Sequence, residues 1–180
     1  MIKKEGSTTI SPSSIIGSFI EIIKSELSGG AISISFEDEA IEAIKYIPQN
    51  HYLREEVIAK HHKHLRALIP LQSSNGGWRQ VIDVENSYEE LTATCMIGYS
   101  LANNIKLGLL TKENIDILYK AWNFVDQKIE NTGIVHDSCT GTGSMTTLND
   151  YLIRKRENGF DNRGGSLAAW FLVSLYEILI

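Results

Sequence analysis

Positive charge in excess, long apolar runs and metal-binding cysteine patterns are all missing from this sequence. Lys and Arg number 17 against 22 Asp and Glu, which leaves a formal net charge of −5 and a pI near 5.5. That balance argues against nucleic acid and anionic membrane surfaces as partners. It leaves room for an acidic sugar, since a pocket needs only one or two local cations. No apolar run approaches the ~18 residues of a membrane span. The N-terminal MIKKEGSTTISPSS starts basic but has no apolar core before Ser11, so it does not read as a secretory signal. The two cysteines, Cys95 and Cys139, lie far apart in no metal-ligand spacing, and they read as reduced thiols of a cytoplasmic protein. With 43% hydrophobic and 22% charged residues, the composition is that of an ordinary globular domain with a core of its own. Dinucleotide fingerprint, heptad seam, βαβ rhythm and solenoid period are absent as well.

What is present is helical periodicity, and the fold class it implies is all-α. Ser11-Pro12 opens a first helix whose Ile15, Ile16, Phe19, Ile22, Ile23 and Leu27 recur at helical spacing until Gly29-Gly30. The alternating AISIS that follows suggests a small strand. A second stripe runs from Phe36 through Ala40, Ile41, Ile44 and Ile47 to Pro48. A third helix spans His51 to Leu71, where Pro70 ends or kinks it. Ser87 suits the cap of a fourth helix, with Glu89 and Glu90 in its first turn. Thr92, Ala93, Thr94, Gly98, Ser100 and Ala102 spread small side chains round that cylinder, as expected of an inner helix enclosed by neighbours. Thr111 caps a fifth helix, with Ile115, Leu118, Trp122 and Val125 on one face. Residues 134–163 read as loop with short extended pieces, and Gly164-Gly165-Ser166 opens a very apolar sixth helix. Six helices in antiparallel pairs imply hairpins packed in a curved layer.

Candidate chemistry is sparse. Gln72, Gly76, Gly77 and Trp78 can be a helix stop with an aromatic packed over it, or the rim of a pocket. The Gln-x-x-x-Gly-x-Trp spacing also occurs in terpenoid cyclases, but in one copy here and without an acidic Asp-x-Asp-Asp run. His51, His61, His62 and His64 lack the His-Glu-x-x-His arrangement and sit beside Lys60 and Lys63, so they read as a solvated helix face and no metal is implied. Gly141-Thr142-Gly143 lacks the strand–turn–helix setting of a phosphate loop. Cys139 and His136, three residues apart in a loop, are thin support for a thiol nucleophile. Asp83, Glu85, Asp137, Asp150 and Asp161 supply carboxylates of the kind glycoside hydrolysis uses in pairs, and spacing selects no pair among them.

The ordered stretches LQSSNGGWRQVID, SYEELTATCMIGYSLANNIKLGLL, KAW, GTGS, DYLIRK and DNRGGS resemble the C-terminal half of the unsaturated rhamnogalacturonyl and glucuronyl hydrolases, glycoside hydrolase family 105, with family 88 more distant. Trp78, Gln80, Asp83, Ser87, Tyr88, Glu90, Thr94, Met96 and Tyr99 fall on the family pattern. The resemblance covers about 40 to 180 and implies an α/α toroid, a six-hairpin barrel, present here as roughly half a ring. Residues 1–35 then form a poorly matched N-terminal helix and linker, and 36–180 the partial toroid domain. It further implies hydration of the C4=C5 double bond of an unsaturated uronic acid at a chain end, by an Asp acting as general acid and base, without cofactor or metal. Substrate-binding candidates on this alignment are Trp78, Gln80, Tyr88, Glu90, Tyr151 and Arg163. Asp83 and Asp161 are the local carboxylate candidates for catalysis.

The departures shape the expectation. The family's catalytic Asp lies in its N-terminal half, outside the match. A Trp-x-Arg-Gly-x-x-Trp segment is replaced by SELSGGAISISFEDEA, and the His of a late Asp-x-His-Gly motif is Arg163, with Ser166 in place of a following Gly. Twelve helices of ~11 residues with their connections need about twice this length. The expectation is therefore a carbohydrate-degrading hydrolase relative that is inactive alone, binds an unsaturated uronic-acid oligosaccharide if any small molecule, and closes its edges through a homodimer or a complementary half-barrel chain. A non-catalytic binding or assembly domain, and a terpenoid cyclase relative, are the alternatives.

Overall fold

The computed structural model describes residues 36–180, apart from Thr142 and Ser144. The helix expected over 15–27, its Gly29-Gly30 stop, the AISIS stretch and the whole 1–35 segment lie outside the described residues. The described chain is helix-dominated. Its helices are α1 Phe36–Tyr46, α2 Arg54–Leu68, α3 Leu91–Lys106, α4 Ile115–Gln127, the short α5 Leu148–Leu152 and α6 Asn162–Leu179. Two antiparallel ribbons join them: β1 Trp78–Arg79 with β2 Glu89–Glu90, and β3 Val135–Cys139 with β4 Arg156–Gly159. No helix among the described residues is long and apolar enough to cross a membrane.

The first hairpin follows from its apolar stripe. Ala40, Ile41, Ile44 and Ile47 recur on one face of α1 and pack with Leu53 and Val57 at the start of α2. Arg54 is buried because its guanidinium turns back onto the open end of α1. Its Nη1 donates to the Ile44 and Ile47 carbonyls at 2.6 and 2.7 Å, satisfying acceptors that a helix end leaves orphaned.

The third helix is shorter than its periodicity suggests. α2 stops at Leu68 and tightens into a 3₁₀ turn over Ile69–Leu71, which accommodates Pro70. Gln72 then holds the reversal by donating from Nε2 to the Gly76 carbonyl at 2.9 Å and to the Ile117 carbonyl of α4 at 3.0 Å. Gly76 has φ 96°, and a Cβ on it would fall 2.1 Å from the Lys120 carbonyl oxygen. Only glycine meets both conditions.

α3 is the enclosed inner helix that its small residues foretell. It touches α1 through the Tyr99 hydroxyl, which bonds the Glu42 carboxylate and accepts from Lys45 at 2.8 Å. It meets α2 through Asn104, whose Nδ2 approaches His61 Nε2 at 2.8 Å and whose Oδ1 approaches His62 Nε2 at 3.2 Å. His61 is thus buried between helices rather than on the solvated face its neighbours suggest; it shares the stripe of Val57, Leu65 and Leu68. On the other side Gly98 faces the Phe171 ring, Asn103 donates to Ser174 at 3.1 Å, and Lys106 pairs with Glu177 at 2.7 Å. Both sets of numbers rise together, so α3 and α6 run parallel, with α4 returning on the outside through Leu118, Ala121, Phe124 and Val125.

Candidate functional site

Because α3 and α6 are parallel, both begin at one face, and β3 lies across it. α3 does not start at Ser87. Tyr88 is held extended, its carbonyl accepting the Gln80 N–H at 2.9 Å, and Ser87 Oγ accepts the Val81 N–H inside the β1–β2 connection. The cap is Glu90. Its Oε1 accepts the Thr92 N–H at 2.8 Å and its Oε2 the Ala93 N–H at 2.5 Å, while the Thr92 hydroxyl and the Cys139 N–H add further bonds. Burial pushes the Glu90 carboxyl up, and the Thr92, Ala93 and Cys139 donors pull against it.

α6 is capped in the same manner. Asp161 Oδ2 accepts the Gly164 N–H at 3.0 Å, and its Oδ1 meets Arg163 Nε at 3.2 Å. Burial works against ionisation there, but these donors together hold the Asp161 carboxyl below its usual range. Gly164 is closely fitted: a Cβ would stand 2.6 Å from Ser138 Oγ.

Three arginines converge on residues 137–143 between the two caps. Arg154 donates to the Gly141 carbonyl and, at 2.7 Å, to that of Gly143; Arg163 reaches the Thr140 carbonyl at 3.3 Å. Arg156 pairs with Asp137 at 3.0 Å and lays its guanidinium 4.5 Å from the centre of the Tyr88 ring. Lys128 meets the other Asp137 oxygen at 2.7 Å, and Asp137 takes φ 58° where a register shift bends β3. Burial opposes ionisation of Asp137, yet the two cations keep its pKa low. Beside this cluster, Met145, Thr146, Asp150, Ile153, Arg154 and Lys155 line an open recess of 530 Å³.

Of the sequence candidates, Tyr88, Glu90, Tyr151, Asp161 and Arg163 come together around this cluster. Tyr151 offers its hydroxyl to the Met145 N–H at 2.9 Å and its ring to Arg154. Tyr88 is nearly enclosed, its hydroxyl has no hydrogen-bond partner, and burial first and the Glu90 carboxylate second push its pKa up. Gln80 lies half-buried on the same ribbon with Oε1 unpaired. Trp78 is fully enclosed: its backbone N–H donates to Thr94 Oγ1 at 3.0 Å and its Nε1 to the Leu68 carbonyl at 2.7 Å. Asp83 is exposed in the β1–β2 connection. Sequence reasoning did not single out Arg154 and Arg156, although the run Arg154-Lys155-Arg156 is the densest basic stretch near a predicted loop. Among the described residues, no group of three or more His, Cys, Asp or Glu is placed to hold a metal ion.

Parallel inner helices with outer helices returning between them define the all-α fold of helical-hairpin toroid hydrolases. The family profile described as Glycosyl Hydrolase Family 88 matches residues 39–179, and the chain belongs to that family. Similar solved structures include a possible member of family 105 from Salmonella enterica serovar Paratyphi A, at 19% identity and TM-score 0.70. A family 105 glycoside hydrolase from C. acetobutylicum has 19% identity and TM-score 0.67, and a family 88 glycosyl hydrolase from Bacteroides vulgatus 17% and 0.63. These matches cover 79%, 82% and 82% of this chain but only 38%, 44% and 43% of the other chains. The chain thus spans less than half the length of the structures it resembles. No curated protein sequence matches it.

Proposed function

We propose that this chain is the sugar-holding part of an unsaturated uronyl or rhamnogalacturonyl hydrolase, and that it does not turn substrate over alone. The observation that carries the reading is the gathering of Arg154, Arg156 and Arg163 at the face where α3 and α6 begin, in a chain of net charge −5. A uronate carboxylate suits Arg156 and Arg163, which are the more exposed of the three. The unpaired Tyr88 hydroxyl and Gln80 Oε1 are enclosed, so they serve a sugar hydroxyl only when the chain around them moves to uncover them. Proton donation fits the local carboxylates less well. Asp161 and Asp137 are held ionised by their donors, and Glu90, whose pKa is raised, is enclosed and bonded on both oxygens. In this reading the general acid comes from outside the described residues, and no cofactor is needed.

Two measurements on one sample test it. Titration with an unsaturated uronyl disaccharide, followed by calorimetry, should show saturable binding that weakens in Arg156→Ala. Absorbance of the conjugated double bond should stay constant. Absent binding sinks the sugar-holding role and favours a purely assembly domain. Steady loss of absorbance overturns the half-site argument, and Asp83→Asn and Asp161→Asn then become the first variants to make.

A further inference from the structure

We propose, on the uronyl-holding reading above, that Asp137 is a positioning residue: it aims the Arg156 guanidinium so that one edge is left for the sugar carboxylate. Arg156 stands opposite Cys139 in the β3–β4 register, and its side chain is half-exposed. An unrestrained arginine at such a place gives up much rotamer freedom when it closes on a ligand. Here the side chain is ordered beforehand. Nη1 donates to Asp137 Oδ1 at 3.0 Å, and the guanidinium lies 4.5 Å from the centre of the Tyr88 ring. Among the described residues nothing accepts from Nε or Nη2, which form the side edge of the group. Two unspent nitrogens in one plane match the two oxygens of a carboxylate.

Asp137 is itself held from three sides. Asn158 Oδ1 of β4 accepts its N–H at 3.0 Å, and Lys128, at the C-terminal end of α4, takes its other oxygen at 2.7 Å. Its carboxylate thus divides into an oxygen fixed to α4 and an oxygen that steers Arg156. The backbone agrees with that division. Asp137 takes φ 58° where β3 shifts register, a left-handed conformation uncommon outside glycine. A register shift re-aims the side chain at the bend, and strain of this kind gathers where a side chain has to be aimed.

Charge alone and positioning give opposite signs for Asp137→Asn, which keeps the left-handed backbone. Removing a carboxylate beside an anion site tightens anion binding by charge alone, whereas losing the aim weakens it. Calorimetric titration with the unsaturated uronyl disaccharide should show Asp137→Asn binding about tenfold more weakly than wild type, as for one lost charge-assisted bond. In an Arg156→Ala background the same change should cost nothing further, because Asp137 acts through Arg156. Equal or tighter binding by Asp137→Asn overturns the proposal, and so does an additive loss in the double variant. NMR of the arginine side chains gives a second readout that needs no sugar. The Tyr88 ring current should move the Arg156 guanidinium protons upfield in wild type, and Asp137→Asn should return them toward their position in Tyr88→Leu. Signals that Asp137→Asn leaves in place show that Asp137 does not aim Arg156. If wild type binds no disaccharide, the sugar-holding reading fails, while the NMR result still decides whether Asp137 sets Arg156.

Discussion

Glu90 Oε1 accepts the Cys139 N–H at 2.8 Å, so the carboxylate that caps α3 also pins the end of β3. Glu90→Gln keeps the shape but turns an amide NH₂ toward donors. One buried N–H or hydroxyl then loses its acceptor, at a cost of about 1–3 kcal/mol. Urea unfolding at neutral pH should show that loss, and hydrogen exchange should quicken at Cys139. A variant as stable as wild type would mean the pin carries no load.

Gly98→Ala sets two effects against each other. Alanine favours the helix by about 1 kcal/mol over glycine. Its Cβ, however, would stand 2.6 Å from the Phe171 ring of α6, which is backed edge-on by Trp122 of α4. Overpacking of this kind costs about 1–3 kcal/mol, so the clash should win and the melting temperature should fall. A rise would show that α6 can shift outward freely.

Asp137 should govern part of the acid limb of stability. Its folded pKa lies below the unfolded one, so its contribution is complete above the ordinary carboxylate range and is lost as pH falls through the folded value. Asp137→Asn should cost about 1 kcal/mol near neutrality, since the pairs with Lys128 and Arg156 are partly exposed. The two proteins should converge in acid. Asparagine tolerates the left-handed backbone here, so the comparison isolates charge. A constant gap at all pH values would assign the effect to something else.

Tyr88→Phe separates binding from folding. The hydroxyl is buried without a partner, and removing it should leave thermal stability unchanged or raise it by up to about 1 kcal/mol. Affinity for an acidic disaccharide should drop if the hydroxyl serves the sugar. Lost stability with unaltered affinity would return Tyr88 to a structural role.

How far the sequence could be read depended on whether the deciding contact was local. The enclosed position of α3 was legible, because small residues all round a cylinder have no other use. The end of α2 was legible from Pro70 and Gly76-Gly77 for the same reason. Ser87 was the natural local choice of cap, and glutamate is a rare one. Glu90 takes the position because the β1–β2 ribbon extends past Tyr88 and because Cys139 donates to it from β3. β3 and β4 read only as unplaced short extended pieces in a loop, since VHDSC and RENG show little apolar alternation and the shift at Asp137 breaks what there is. His61 was hidden by its polar neighbours; only its helical phase with Val57 and Leu65 betrays it. The arginine cluster needed tertiary knowledge, because three side chains from β4, its approach and α6 meet only after β3 is laid across the helix ends.

The parallel course of α3 and α6, fixed by Lys106–Glu177 at one end and by β3 at the other, has an electrical consequence. Peptide dipoles in antiparallel neighbours cancel, whereas here they add, each helix placing about half a positive charge at the same face. The ionised Asp161 carboxylate alone matches those two half-charges, so the helix ends are balanced by their own caps and add no net attraction for anions. The positive character of that face therefore rests on its basic side chains, and replacing the three arginines should remove most of its attraction for anions rather than merely weaken it.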